Sequence, residues 1–483
     1  MGSSAPTGSA PHKTLRKRNT TLIFTQENGF YKTLLAVALP TAGSNLLQNA
    51  IGLADTFMVA TLGDQAVAAV AVANNFLFVF FLLMFGLISG ASVLSSQYWG
   101  RRDTRAVAQT AGIMLRFSML AGLGFSVAAL VFPRQIMSVF TADPEVIALG
   151  VGYLRIVGPS FAVMSLSKAY WLFMRSVEQA NLGLFLQLTT FIVSTSLNAV
   201  FIFGLFGAPQ MGVRGAATGT LIARLLEFVI VLIYASRESV IRIRVRDILG
   251  KAKRSRQLLS DFYHHSSIVV ANEIVWGLGT SLQSAIFGHI STPALTAASL
   301  TRSMMSAASV PSFGLFNAAG VVTGKSVGRG EFKTAKRQSK LLLLLALFAG
   351  IVCTGLMLTA RAVLLGPVAA AGALQLSGEV LGLLRRKMLV EAAIIPFSAQ
   401  NGTIIVGLLR GGGDTKFSSI YDVAFLWLYA LPAAAIAAFV FGVSSPAVYV
   451  ILRAEEAIKF FVGIIRVLNW KWMRNVTRQE IPS

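Results

Sequence analysis

The chain has 483 residues, of which 55% are hydrophobic and 13% charged, with a mean hydropathy of +0.68 and a formal net charge of +22. A soluble protein of this length carries roughly a quarter charged residues, so a soluble enzyme or a string of soluble domains is excluded. The basic excess lies in alternate short loops between long apolar runs, which is the positive-inside distribution of a membrane protein and not a nucleic-acid footprint.

Residues 1–30 are small and polar, then basic (Lys13, Arg16, Lys17, Arg18), without the short apolar stretch of a secretory signal. They read as a disordered cytosolic tail. Six apolar spans follow within 31–236, at about 32–60, 66–98, 106–131, 145–174, 181–206 and 213–235. A basic linker, 237–262, carries Arg242, Arg244, Arg246, Lys251, Lys253, Arg254 and Arg256. Six further spans lie within 263–472, at about 263–290, 294–326, 336–365, 378–409, 417–441 and 446–468, before a second tail at 473–483. Each span reaches the ~20 residues needed to cross a ~30 Å hydrocarbon core. Basic clusters at Arg101, Arg102 and Arg105 and at Arg329, Lys333, Lys336 and Arg337 place those loops, the linker and both termini in the cytosol. The prediction is an all-α membrane protein with twelve transmembrane helices. With six spans per half, the two lobes run in the same direction, related by a pseudo-two-fold axis along the membrane normal. Pro40, Pro159, Pro311, Pro396 and Pro432 fall inside spans, where each removes a backbone hydrogen bond and favours a bend.

The halves repeat each other. Phe85–Asp103 aligns without a gap on Phe313–Glu331 at an offset of 228, with Phe85, Gly86, Leu87, Ala91, Val93, Gly100 and Arg101 on identical residues. At the same offset, however, Asp55 falls on Gln283, and Glu273 falls on Asn45. The scaffold is doubled and its acids are not.

A charge inside the bilayer costs about 2.5–3.5 kcal/mol on insertion scales, so each intramembrane acid needs a reason. Asp55 follows Gln48 and Asn45 by seven and ten residues on one helix face, with no basic residue within four positions. It reads as a cation- or proton-binding carboxylate, or as one half of a salt bridge to a distant arginine. Glu273, near the middle of span 7 with Trp276 close by, reads either as a cavity wall that attracts cations or as a structural ion pair. Arg224 with Glu227, and the group Asp422, Arg453, Glu455, Glu456 and Lys459, read as structural pairs, with Glu455–Lys459 at i,i+4 and Arg453–Glu456 at i,i+3. The single cysteine, Cys353, precludes an intramolecular disulfide, and none of the four histidines has a metal-binding spacing. No cofactor is expected.

At LADTFMVATLG (Leu53–Gly63), GAATGTLIA (Gly215–Ala223) and LLRGGGDTK (Leu408–Lys416), the chain resembles the multidrug and toxic compound extrusion (MATE) transporters over about residues 30–475. A worn copy of the last motif, Arg175-Ser-Val-Glu-Gln, aligns with Arg410-Gly-Gly-Gly-Asp at an offset of 235. The resemblance implies a V of two six-helix lobes exchanging H⁺ or Na⁺ for bulky, often cationic organic compounds. In one branch of that family the N-lobe site pairs the span 1 Asp and a Gln with an Asn, a second Asp and a Thr. Asp55, Gln48, Asn198 and Thr220 match, but Ile202 stands where the second acid would be. In the other branch a span 7 Glu works with a span 10 Asp; Glu273 matches the first, and Ala399–Asn401 holds no acid.

A lone carboxylate with two neutral oxygen donors binds Na⁺ more weakly than a pair of carboxylates would, so proton coupling through Asp55 is the expectation. Asn45, Glu273, Trp276 and Gln283 are the candidate lining of the substrate cavity. The reading is a non-enzymatic, monomeric antiporter of small organic molecules in a bacterial or archaeal plasma membrane, in contact with lipid and not nucleic acid. The alternative within the same fold is a flippase of lipid-linked oligosaccharide or cell-wall precursors, whose cavity should be basic and so should expose Arg116, Lys168 and Arg302.

Overall fold

A computed structural model describes residues 12–238, 241, 243, 253–368 and 376–478. The N-lobe comprises α1 (His12–Ala60), α2 (Asp64–Gly100), α3 (Thr104–Val131), the short α4 (Pro133–Phe140), α5 (Pro144–Val157), α6 (Ser160–Arg175), α7 (Asn181–Phe203) and α8 (Val213–Arg237). The C-lobe comprises α9 (Lys253–Ile290), α10 (Thr292–Ala308), α11 (Val310–Gly328), α12 (Phe332–Val363), α13 (Gly378–Gly402), α14 (Thr415–Phe425), α15 (Leu431–Phe439), α16 (Ser445–Arg453) and α17 (Glu455–Leu468).

Among the described residues, seven spans are long and apolar enough to cross a membrane as single units, and two bent pairs bring the number to nine. The pairs are α5–α6, bent by 56° before Pro159, and α10–α11, bent by 57° beside Pro311. A ring in place of an N–H at each break explains both. The three remaining expected spans, α1, α9 and α16–α17, carry the amides and acids of the candidate sites, which lower their hydropathy. Two expectations change. The helix of span 1 extends back to His12 where a disordered tail through residue 30 was expected; no proline lies between Pro11 and Pro40 to break it. Span 12 is two helices, with Ala454 as the C-cap of one and the N-cap of the next. Residues 239–240, 242 and 244–252 of the basic linker lie outside the described residues, and its last ten residues, 253–262, begin α9.

The lobes meet along α1 and α2 on one side and α9 and α11 on the other. Repeated glycines make this possible. A Cβ at Gly86 would fall 2.6 Å from the Val270 Cα, and one at Gly314 would fall 2.9 Å from the Ala42 Cβ. Ala42 and Val270 are themselves related by the 228 offset, so these are two copies of one contact. At the helix ends Gly100 lies against Lys325 and Gly328 against Gln97, again a symmetric pair.

That end of the seam is shut. Lys325 binds Glu178 of the opposite lobe. Gln97 donates to the carbonyls of Gly411 and Arg474, each at 3.2 Å, and accepts from the Val476 amide at 2.8 Å. The chain after α17 lies across the seam. Trp472 is fully buried, Asn475 donates to the Gly328 carbonyl (3.3 Å), and Arg478 forms a bidentate pair with Asp261 at 2.7 Å.

Candidate functional sites in the two lobes

In the N-lobe, Asn198 on α7 donates from Nδ2 to the Asp55 Oδ1 at 2.7 Å. Asn198 is completely buried, because Gly219 on α8 lets that helix close over it. The Asn198 Oδ1 has no hydrogen-bond partner. Thr220 follows Gly219 and is half-buried, whereas Gln48 is exposed and makes no bond to Asp55. Arg224, one turn beyond Thr220, acts electrostatically on both Asp55 and Tyr153. Its guanidinium pairs with Glu227 at 2.7 Å, as the spacing predicts, and Glu227 is 2% exposed. The structure therefore joins Asp55 to Asn198, places Thr220 next to the glycine that packs on Asn198, and gives Gln48 no bond to Asp55. It also adds a cation that the sequence placed only in a local pair. Lys168 is buried, with its ammonium 4.2 Å over the Phe81 ring.

The C-lobe holds a cavity of about 520 Å³ lined in part by Glu273, Trp276, Gln283, Phe313 and Tyr449. Three of the four proposed lining residues are there. Asn45, on α1 of the other lobe, is not; its amide donates to the Thr41 carbonyl of its own helix at 2.8 Å. Acids and bases alternate around the walls. Glu273 pairs with Arg410 at 3.0 Å while it lines the cavity, so this residue is at once part of the wall and one half of an ion pair. Glu391, fully buried, accepts from Arg453 at 2.8 and 3.0 Å and from the Tyr449 hydroxyl at 2.7 Å. Lys459 pairs with Asp422 at 3.2 Å, while Arg453 reaches Glu456 at 3.6 Å.

The expected Glu455–Lys459 pair does not form. Lys459 turns across to Asp422 on α14, and Glu455 lines the cavity with its Oε2 buried and unpartnered. Arg302 also lines this wall and is exposed to it. Sequence reasoning found no partner for Glu391 and did not place Arg410. The doubled Arg175/Arg410 motif marked Arg410 as unusual, but nothing local ties Glu391 to a residue 62 positions away.

A family model described as MatE matches residues 40–200 and 268–436. A protein named "Probable multidrug resistance protein NorM" from Rhizobium meliloti is 26% identical over 464 residues, covering 93% of this chain and 94% of its own. One of the same name from Agrobacterium fabrum is 25% identical, with 85% and 88% covered. Among solved structures, a mutant of the Vibrio cholerae MATE transporter VcmN superimposes with a TM-score of 0.81 at 16% identity, covering 92% of this chain and 98% of its own. A Pyrococcus furiosus MOP superfamily transporter, described as having a binding pocket of reverse polarity that suggests a different function, gives a TM-score of 0.79 at 17% identity, with 91% and 96% covered. These structural likenesses show the fold.

Proposed function

Because the chain belongs to the MatE family, the multidrug and toxic compound extrusion transporters, we propose that it is a secondary antiporter exporting amphipathic organic compounds, cations among them, in exchange for protons carried by Asp55. The observation that carries the proposal is the Asp55–Asn198 pair, a carboxylate held on the buried face of the N-lobe by one neutral amide. With Ile202 where a second acid would stand and Asn198 as a neutral partner, the site offers one carboxylate, which holds Na⁺ weakly and supports H⁺ as the coupling ion. The C-lobe cavity is in the ~300–1,000 Å³ range of sites for drug-sized ligands, and its aromatic walls suit organic cations. By the positive-inside rule the shut end of the seam is cytosolic and the cleft faces outward. Alternating access then consists of opening that seam while the opposite end closes, with the two lobes moving largely as rigid bodies.

Exposure of Arg302 on the cavity wall favours the flippase reading, and Lys168 packed under Phe81 opposes it. A drug-susceptibility panel in an efflux-deficient host separates the two. Expression of the wild type should raise resistance to several cationic compounds, and Asp55→Asn should abolish the gain. No change for any compound would put the flippase first.

A further inference from the structure

A second, smaller cavity of about 50 Å³ lies between the lobes. Its walls include Ser89 and Ser92 of α2 and their repeat counterparts Asn317 and Gly320 of α11, so it sits on the pseudo-two-fold axis. The two repeat-related arginines, Arg175 and Arg410, both line it. Their surroundings differ in one respect. Arg410 is neutralised by Glu273 at 3.0 Å. The repeat counterpart of Glu273 is Asn45, an amide already committed to the Thr41 carbonyl. Arg175 accordingly makes no side-chain hydrogen bond and no ion pair with any described residue. Glu178, the nearest acid along the chain, is engaged by Lys325. The duplication kept both guanidinium groups and only one carboxylate, which leaves the axis with an uncompensated positive charge.

Arg175 is half-buried, and an unpaired charge partly withdrawn from water is costly, so such charges are usually found paired. We infer that the axial cavity is a binding site for a small inorganic monoanion of the halide class, held by Arg175 and closed in by both lobes. The cavity provides further donors. Ser89 accepts from the Arg410 Nη1 at 3.5 Å, which leaves its own hydroxyl hydrogen free. Asn317 donates one amide hydrogen to the Phe313 carbonyl at 2.8 Å and keeps the second. The size is also selective. A water needs ~10–15 Å³ of such space, so the cavity has room for one small ion with a few waters and excludes an organic carboxylate of drug size. Because both lobes supply walls, the site exists only while the seam is shut, and a bound anion favours that state.

The test uses the full chain purified in detergent, at constant Na⁺ and ionic strength, with chloride compared against gluconate. Chloride should raise the unfolding temperature saturably by about 2–4 °C over gluconate. Arg175→Gln should lose the chloride response and Arg175→Lys should retain part of it. Equal unfolding temperatures in the two anions, or a chloride response unchanged in Arg175→Gln, would overturn the inference. Wild-type crystals grown in bromide give a readout that needs no variant. An anomalous peak within hydrogen-bond reach of the Arg175 guanidinium is expected, and its absence would also overturn the inference. Neither measurement depends on transport, so the antiport reading can fail without affecting it.

Discussion

The Glu391–Arg453 pair gives the sharpest energetic prediction. Glu391 is fully buried and receives three hydrogen bonds, two from Arg453 and one from the Tyr449 hydroxyl. Removing one partner of such a pair typically costs about 3–5 kcal/mol, because the other charge stays behind without compensation. Arg453 keeps a weaker contact with Glu456 at 3.6 Å, which puts Glu391→Gln near the lower end, about 3 kcal/mol. At the low end of the usual conversion, about 2 °C per kcal/mol, the unfolding temperature in detergent should fall by about 6 °C. The double variant Glu391→Gln/Arg453→Met removes the orphaned charge and should recover most of that loss. A Glu391→Gln protein melting within about 1 °C of wild type would refute the reasoning, since a desolvated pair cannot be broken at so small a cost. Transport by the stable double variant separates the two roles: retained transport makes the pair structural, and lost transport makes it part of the machinery.

Three further outcomes follow from the packing. Gly86→Leu cannot be accommodated beside Val270 without moving the lobes apart, so crosslinking between cysteines placed on either side of the shut seam should drop sharply. Gln97→Ala removes three hydrogen bonds across the seam, two of them to the final segment; proteolysis after Trp472 should accelerate several-fold while the transmembrane core stays resistant. Glu273→Gln leaves Arg410, 2% exposed, without its carboxylate. It should lower the unfolding temperature by at least as much as Glu391→Gln, because no second acid of the described residues pairs with Arg410.

Much of the architecture was legible in the sequence because it depends on local or periodic signals. Apolar run lengths placed the spans, two of the five intramembrane prolines, 159 and 311, stand at the sharp bends, and the 228 offset marked Gly86 and Gly314 as equivalent positions. Arg224 and Glu227 were legible for the same reason, being one turn apart. Of the cross-helix partners, Asp422 and Lys459 were legible from their similar depths from the cytosol, and they pair. Glu391 with Arg453 was not, and neither was the preference of Lys459 for Asp422 over its own helical neighbour Glu455, because spacing along one helix does not record such contacts. Asn45 illustrates the opposite error. Repeat symmetry related it to Glu273, but an amide can satisfy itself on its own helix where a carboxylate cannot.

Proton coupling through Asp55 is the central claim, and reconstituted vesicles test it directly. With an imposed pH gradient, wild-type protein should drive counterflow of a fluorescent organic cation, and the rate should follow the gradient. Asp55→Asn, which keeps a polar group for Asn198 but cannot exchange a proton, should leave a residual flux independent of the gradient. A flux through Asp55→Asn that still tracks the pH gradient would contradict the account.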